Sequence, residues 1–363
     1  MPADQPRILL AGGGTGGHLF PALAIADELR NLRPAAQFLF IGTKEKIEAR
    51  VVPQKGYSFA SIWISGFHRG CRPGNLIFPL KVMVSLVQSF FLIRRYRPDV
   101  VIGTGGYVCG PVLYVASLLG IPMVLHESNS YPGITTRMLA GRAQIVFTAF
   151  EATKRWLRRT DNIVAVGTPT RMNLGTSRRE DAAKAFGLDP AKRTVLVFGG
   201  SLGSASINRA VQESLVAAAK HEGFQLIWQT GRTDVGPVEE ARTVGWVGTF
   251  IDAMDQAYAA ADLVVCRAGA TTLAEITRIG KPAILIPFPY AAADHQTVNA
   301  QTLVDAGAAV LIKDKEVGSK LAGEVQSLLA DDRRREAMHA ASLALGRPGA
   351  GRVMAERILR LIV

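Results

Sequence analysis

Cysteine is scarce in this chain: Cys71, Cys109 and Cys266 are the only three. That is too few, and too scattered, for a disulfide framework or a zinc site, and buried free thiols in a reducing compartment are expected. No Asp-x-Asp pair occurs, so a motif-bound divalent metal on a nucleotide diphosphate is not indicated. No G-x-x-x-x-G-K-[ST] loop announces ATP either. The start MPADQPRILLAGGG lacks the basic and apolar regions of a secretory leader and runs straight into a strand, so a cytosolic location is expected. Acidic residues are the minority charge, 30 against 42 Lys and Arg. The imbalance is concentrated in residues 1–162, with 19 basic and 9 acidic side chains. Such an excess suits an anionic partner (membrane phospholipid, nucleic acid or a phosphorylated substrate) or is simply a solvated basic face.

What is present is apolar and glycine-rich. Hydrophobic residues make up 48% of the 363 and charged residues 20%, which excludes disorder and supplies two cores rather than one. RILLAGGG, PALAIADELRNL and FLFIGT read as strand, amphipathic helix, strand. DVVIGTGG, IPMVLHES and AQIVFTAF continue as Val/Ile-rich runs of the kind buried on both faces. The pattern pauses near Thr160 and restarts at TVLVFGGSLG, followed by FQLIWQTG, DLVVCRAG, PAILIPFP and AAVLIKD. Two doubly wound α/β domains facing a cleft are expected, at 1–163 and 164–346, with the amphipathic tail 347–363 packing back on the first or across both. Residues 76–93, LIFPLKVMVSLVQSFFLI, are nearly all apolar and end at Arg94, Arg95 and Arg97. The length allows a membrane span, but Pro79, Lys81, Ser85, Gln88 and Ser89 interrupt it, and a half-buried surface helix is the expectation.

Each half places glycine loops where strands meet helices. Gly12-x-Gly14-x-x-Gly17 formally matches the dinucleotide fingerprint, yet FLFIGTKEK brings Gly42, Thr43 and Lys44 where a ribose-binding acid belongs. His18 adjoins this loop, and an exposed loop would give a structural imidazole nothing to pack against, so it is a candidate catalytic or substrate-contacting group. GTGGYVCGP (103–111) and HESNSYPG (126–133) lie at further strand ends; His126 and Glu127 are acid/base candidates or residues that shape the loop. In the second half, GGSLGSASIN (199–208) could cradle phosphate. In DLVVCRAGATTLAEI, Thr271 and Thr272 offer donors to a diphosphate, and Glu275 can accept from vicinal ribose hydroxyls or merely favour the helix start. His295, Gln296 and Asn299 on PFPYAAADHQTVNA suit sugar hydroxyls.

Taken in order, GGGTGGHLFPALAIA, GTGGYVCGP, HESNSYPG, VGTPTR, GGSLGSASIN, CRAGATTLAE and DHQTVNA resemble the MurG family of UDP-N-acetylglucosamine transferases, which convert lipid I to lipid II in bacterial peptidoglycan synthesis. The resemblance covers essentially the whole chain. Ser128 and Leu202 depart from the family's usual Gln. It implies a GT-B glycosyltransferase fold, with the lipid acceptor on the N-terminal domain and the sugar nucleotide on the C-terminal one. Thr15, Gly16 and Gly17 would approach the donor. Asn129, Arg171, Ser201, Ile251, Ala270, Thr271, Thr272, Leu273, Ala274 and Glu275 would line its site, with Gln296 on the sugar. Ile251 would present backbone groups to uracil, and Arg171 would neutralise diphosphate charge.

The implied reaction is a single displacement at C1, with His18 as candidate base because an imidazole is half-neutral near working pH; His126 and Glu127 are its rivals. UDP-N-acetylglucosamine would be a co-substrate, with no metal or other cofactor. Lipid I, an anionic membrane surface and cell-wall synthesis proteins would be partners, without nucleic acid, at the cytoplasmic face of the bacterial inner membrane. A UDP-sugar epimerase of the same fold, an NADP-dependent oxidoreductase and a non-catalytic membrane scaffold are the competing classes. The epimerase would not need the basic, apolar first half. The oxidoreductase would need a nicotinamide pocket that no motif announces, and the scaffold would leave the donor motifs unexplained.

Overall fold

The computed structural model describes residues 5–66, 77–232 and 235–362. The chain divides into two compact units, Met1–Met172 with Pro348–Val363, and Asn173–Arg347. In the first unit the order is β1 (Arg7–Ala11), α1 (Gly16–Leu32), β2 (Gln37–Gly42), α2 (Ile47–Gln54), β3 (Ser58–Ser61), α3 (Phe78–Tyr96), β4 (Val100–Gly103), α4 (Cys109–Leu118), β5 (Met123–Glu127), α5 (Ile134–Leu139), β6 (Ile145–Thr148) and β7 (Ile163–Ala165). The second unit runs α6 (Arg179–Ala185), β8 (Thr194–Phe198), α7 (Ala205–Ala210), α8 (Val216–Glu222), β9 (Gln225–Gln229), α9 (Glu239–Arg242), β10 (Gly245–Gly248), α10 (Met254–Ala260), β11 (Leu263–Cys266), α11 (Ala270–Ile279), β12 (Ala283–Leu285), α12 (His295–Asp305), β13 (Ala309–Leu311), α13 (Val317–Ala330) and α14 (Asp332–Leu345). The last helix, α15 (Ala350–Leu359), returns to the first unit.

Both sheets are parallel throughout. Their strand orders are β3-β2-β1-β4-β5-β6-β7 and β10-β9-β8-β11-β12-β13. The alternation of side chains explains why these strands read as unbroken apolar runs. Ile8 and Leu10 join the core under α1, whereas Leu9 and Ala11 join the core on the opposite face with Val112 and Leu113. Leu196 and Val197 divide in the same way between the two cores of the second unit. The strands absent from the sequence reading, β3, β7 and β10, are all sheet edges, where burial demands less apolar patterning. Strand β7 is the last strand of the first sheet, so the first unit continues to Met172. In each sheet the order reverses beside the first strand, between β1 and β4 and between β8 and β11. The loops after those four strands therefore meet in pairs at the carboxyl edge of each sheet, where doubly wound folds bind ligands.

Helix α15 buries Met354, Ala355 and Ile358 in the same core as Ile25 and Leu29 of α1. Helix α3 is unusual in what it hides. Ser85 and Ser89 are buried, each hydroxyl donating to a carbonyl of its own helix, while Met83 and Phe91 are each 65% exposed and Leu80 and Val87 also face outward. Arg94, Arg95 and Arg97 at its end are exposed. Among the described residues no helix is long and apolar enough to cross a membrane. Cys71, together with His68, Arg69 and Arg72 before the apolar run and Leu76 at its start, lies outside the described residues. Cys109 and Cys266 are buried free thiols, and burial raises the thiol of Cys109 to about 12.

Candidate active site

In the first unit the loop after β1 passes into α1 at Thr15, whose extended backbone caps the helix; Thr15 and Gly17 are exposed and Gly16 is buried. The Gly14 N–H donates to Glu48 Oε2 at 3.1 Å. His18 lies in the first turn of α1, and its Nδ1 is 3.1 Å from the carbonyl oxygen of Thr104, which follows β4. The Thr104 hydroxyl donates back to the His18 carbonyl at 2.7 Å. A side chain on Gly105, where φ is +107°, would come within 2.5 Å of His18 Nδ1, so that close approach needs glycine.

The imidazole is therefore packed and half-buried, contrary to the expectation that its loop would leave it without neighbours. Burial also pulls its pKa below the usual 6.5, against the opposing charges of Glu127 and Glu48. It is thus mostly neutral at working pH, not half-neutral. A carbonyl can only accept, so the neutral ring carries its proton on Nδ1 and its lone pair on Nε2. That is the tautomer a general base requires.

The two rivals are differently placed. Glu127, at the end of β5, accepts from Asn129 N–H (3.1 Å), Asn129 Nδ2 (3.2 Å), Gly133 N–H (2.9 Å) and Thr136 Oγ1 (2.8 Å). Both oxygens are committed to the 128–136 segment, which makes Glu127 the residue that shapes the loop. His126 is buried and held down to about 4 by desolvation; Ser128 Oγ stands 3.4 Å from its Nδ1. Arg171 stacks its guanidinium over the Phe20 ring of α1, 4.5 Å from the centroid.

In the second unit the loop after β8 turns through Gly200 and Gly203, both at positive φ, with Ser201 half-buried and Leu202 exposed. Ser204 caps α7. Arg267, following β11, fastens this loop: it donates to Ser204 Oγ (2.7 Å) and Ser206 Oγ (3.1 Å), to the Ile286 and Pro287 carbonyls, and pairs with Asp314 at 2.6 Å. Helix α11 begins at Ala270 with no side-chain cap and no acid in its first turn, which leaves its leading N–H groups and dipole suited to an anion. Ala270, Thr271 and Leu273 are buried, and Thr272 and Ala274 half-buried. Glu275 stands beyond that first turn, is buried, and accepts from the Tyr258 hydroxyl at 3.1 Å.

Two expectations need adjustment here. The Ile251 N–H already donates to Gln229 Oε1 at 2.8 Å, so of its backbone groups only the carbonyl is left to offer a base. Gln296 Oε1 accepts from Phe288 N–H at 2.9 Å, which leaves its Nε2 end for a ligand. Asn299 is buried with neither amide atom bonded to any described residue. Gln229 was not anticipated: its amide bridges Gly200 O (3.0 Å) and Ile251 N–H, joining two loops that are remote in sequence. A single Gln closing a strand leaves no pattern that could have flagged it. Among the described residues no cluster of His, Cys, Asp and Glu is arranged to hold a metal ion.

Residues 8–148 match the glycosyltransferase family 28 N-terminal domain, and residues 194–350 its C-terminal domain. The chain is similar to the UDP-N-acetylglucosamine–N-acetylmuramyl-(pentapeptide) pyrophosphoryl-undecaprenol N-acetylglucosamine transferase of Salinibacter ruber, at 42% identity over 99% of this chain and 98% of that one. The enzyme of the same description from Prosthecochloris aestuarii is 43% identical over 98% and 99%. Among solved structures, Acinetobacter baumannii MurG superposes with a TM-score of 0.71 at 27% identity, covering 98% of this chain and 99% of its own.

Proposed function

This chain belongs to the MurG family of family 28 glycosyltransferases, with a GT-B fold, and we propose on that premise that it moves N-acetylglucosamine from UDP-N-acetylglucosamine to the 4-hydroxyl of the N-acetylmuramyl group of lipid I. The product is lipid II, an intermediate of peptidoglycan synthesis. Identity above 40% along the full length of named transferases carries the reading.

The acceptor oxygen attacks C1 of the α-linked sugar as the C1–O bond to the diphosphate breaks, giving the β-linkage. The hydroxyl proton passes to Nε2 of His18, whose Nδ1–H stays on the Thr104 carbonyl. UDP leaves with the bonding electrons. The N–H groups opening α11, the hydroxyls of Thr271 and Thr272, and Arg171 meet its growing negative charge. Glu275 takes the ribose hydroxyls, the Ile251 carbonyl the uracil, and Gln296 and Asn299 the sugar hydroxyls. The roll of donor contacts is completed by Thr15, Gly16, Gly17, Asn129 and Ser201. In this reading the first unit, Met1–Met172 with Pro348–Val363, serves the acceptor and the second, Asn173–Arg347, the donor nucleotide.

We further propose that the protein works as a peripheral enzyme on the cytoplasmic face of the membrane, where cell-wall synthesis supports cell shape and division. The apolar outer surface of α3, with Ile134 and Met138 exposed on α5, and the basic excess of residues 1–162 support this. Incubation of purified protein with UDP-N-acetylglucosamine and a short-chain lipid I analogue tests the reaction. UDP release that depends on acceptor, with a product heavier by one N-acetylglucosamine, is expected. Release of UDP without acceptor, or a changed sugar nucleotide and no transfer, would refute it.

A further inference from the structure

Beneath the glycine loop lies a carboxylate that the mechanism does not use. Glu48, at the start of α2, is 1% exposed. Its Oε2 accepts from Gly14 N–H at 3.1 Å, and its Oε1 from Thr43 N–H (3.1 Å) and Thr43 Oγ1 (2.8 Å). The backbone makes room for it: a Cβ at Gly13 would fall 2.5 Å from Oε1, and one at Gly42 2.5 Å from Cγ. On the other side of the loop, a Cβ at Gly106 would meet the Gly13 carbonyl at 2.5 Å, and the Tyr107 ring closes on Gly14. Burying a charge is costly, and here its hydrogen-bond partners are N–H and O–H donors on two separate loops.

We propose that Glu48 is a positioning residue for sugar transfer: by fastening the Gly14 N–H to the end of β2, it fixes the loop and first turn of α1 from which His18 presents Nε2 to the acceptor hydroxyl. This rests on the reading of His18 as the base. The carboxylate adds a second effect, because an imidazolium forms on His18 as the proton moves and a fixed nearby anion stabilises it. The titratable groups that act on that imidazole are Glu127 and His126 from β5 and Glu48 from α2, with Tyr107 in the loop before α4 and Cys109 at its first residue lying farther along the Gly105 segment. Of these, Glu127 and Glu48 raise its pKa.

Glu48→Gln keeps the size but turns an amide N–H toward one of the N–H donors, and it removes the charge. Its kcat should fall about 10- to 100-fold, the scale expected when a catalytic group is slightly misplaced. The KM for UDP-N-acetylglucosamine should change less than kcat, because only Thr15, Gly16 and Gly17 of the donor contacts ride on that loop, and the acid limb of kcat should move to lower pH because His18 loses a stabilising anion. Placed on His18→Ala, the same change should cost less than about 3-fold more, since the group it acts through is gone. Glu48→Asp keeps the charge on a shorter stem: a smaller fall in kcat is expected, with the limb near its wild-type position. If Glu48→Gln does not fold by thermal melt, that variant decides the matter, and an unchanged kcat in it overturns the proposal. Wild-type kcat in Glu48→Gln, or an undiminished loss in the His18→Ala background, also overturns it. A near wild-type His18→Ala would instead remove the base reading itself, and the proposal with it.

Discussion

His18 owes its chemical state to groups remote in sequence. Its tautomer is set by Thr104, 86 positions away, and its pKa by burial opposed by Glu48 and Glu127. His18→Ala should lower kcat by about 10²–10⁴ while UDP still binds, the usual range for a lost general base. Because burial depresses the pKa, the unprotonated form persists to lower pH than in a free histidine; the acid limb of kcat should lie below 6.5. A limb above 6.5, or activity near wild type in the alanine variant, would move the proton to another group. On the donor side, Glu275→Ala should raise the KM for UDP-N-acetylglucosamine. Losing a charged hydrogen-bond acceptor costs about 1.5–3 kcal/mol. Unchanged donor kinetics in a folded variant would end that assignment. The types of these residues, and their places at strand ends, were legible in the sequence. The partners of His18 and the bridge made by Gln229 were not, because each depends on a contact across tens of residues; the saturation of Glu127 is local, but it depends on the turn of the 128–136 loop, which residue types alone do not give.

At the scale of elements, the central strands announce themselves, since burial on both faces demands continuous Val, Ile and Leu. The edge strands β3, β7 and β10 do not. Helix α3 hides its orientation for a related reason: a run apolar on all sides carries no period, so the sequence could not say that Ser85 and Ser89 face inward and Met83 and Phe91 outward. That outward face, ending in three exposed arginines, motivates a test by vesicle flotation. Binding should rise with anionic lipid and fall in high salt. It should weaken when Arg94, Arg95 and Arg97 become Ser, each cation near the surface being worth about 1 kcal/mol. Equal binding to neutral and anionic vesicles would remove the electrostatic part of the argument, and resistance to carbonate extraction would point to insertion.

For the whole molecule, the seven-stranded and six-stranded sheets share the order of their first six strands, and each carries a pair of glycine loops beside the switch in strand order. Sequence pattern was enough to expect two such units, because each opens with strand, glycine loop and helix. The return of α15 to the first unit follows from its apolar stripe, which completes the core beneath α1. A single displacement that transfers N-acetylglucosamine from UDP to the 4-hydroxyl of the lipid-linked acceptor inverts the sugar's configuration at C1. The anomeric configuration of the product tests it most directly, read by NMR after reaction with donor labelled at C1 and a soluble lipid I analogue. A β-linkage at the acceptor 4-oxygen is expected, formed together with one UDP per transfer. An α-linkage, or a linkage at another hydroxyl, would contradict it.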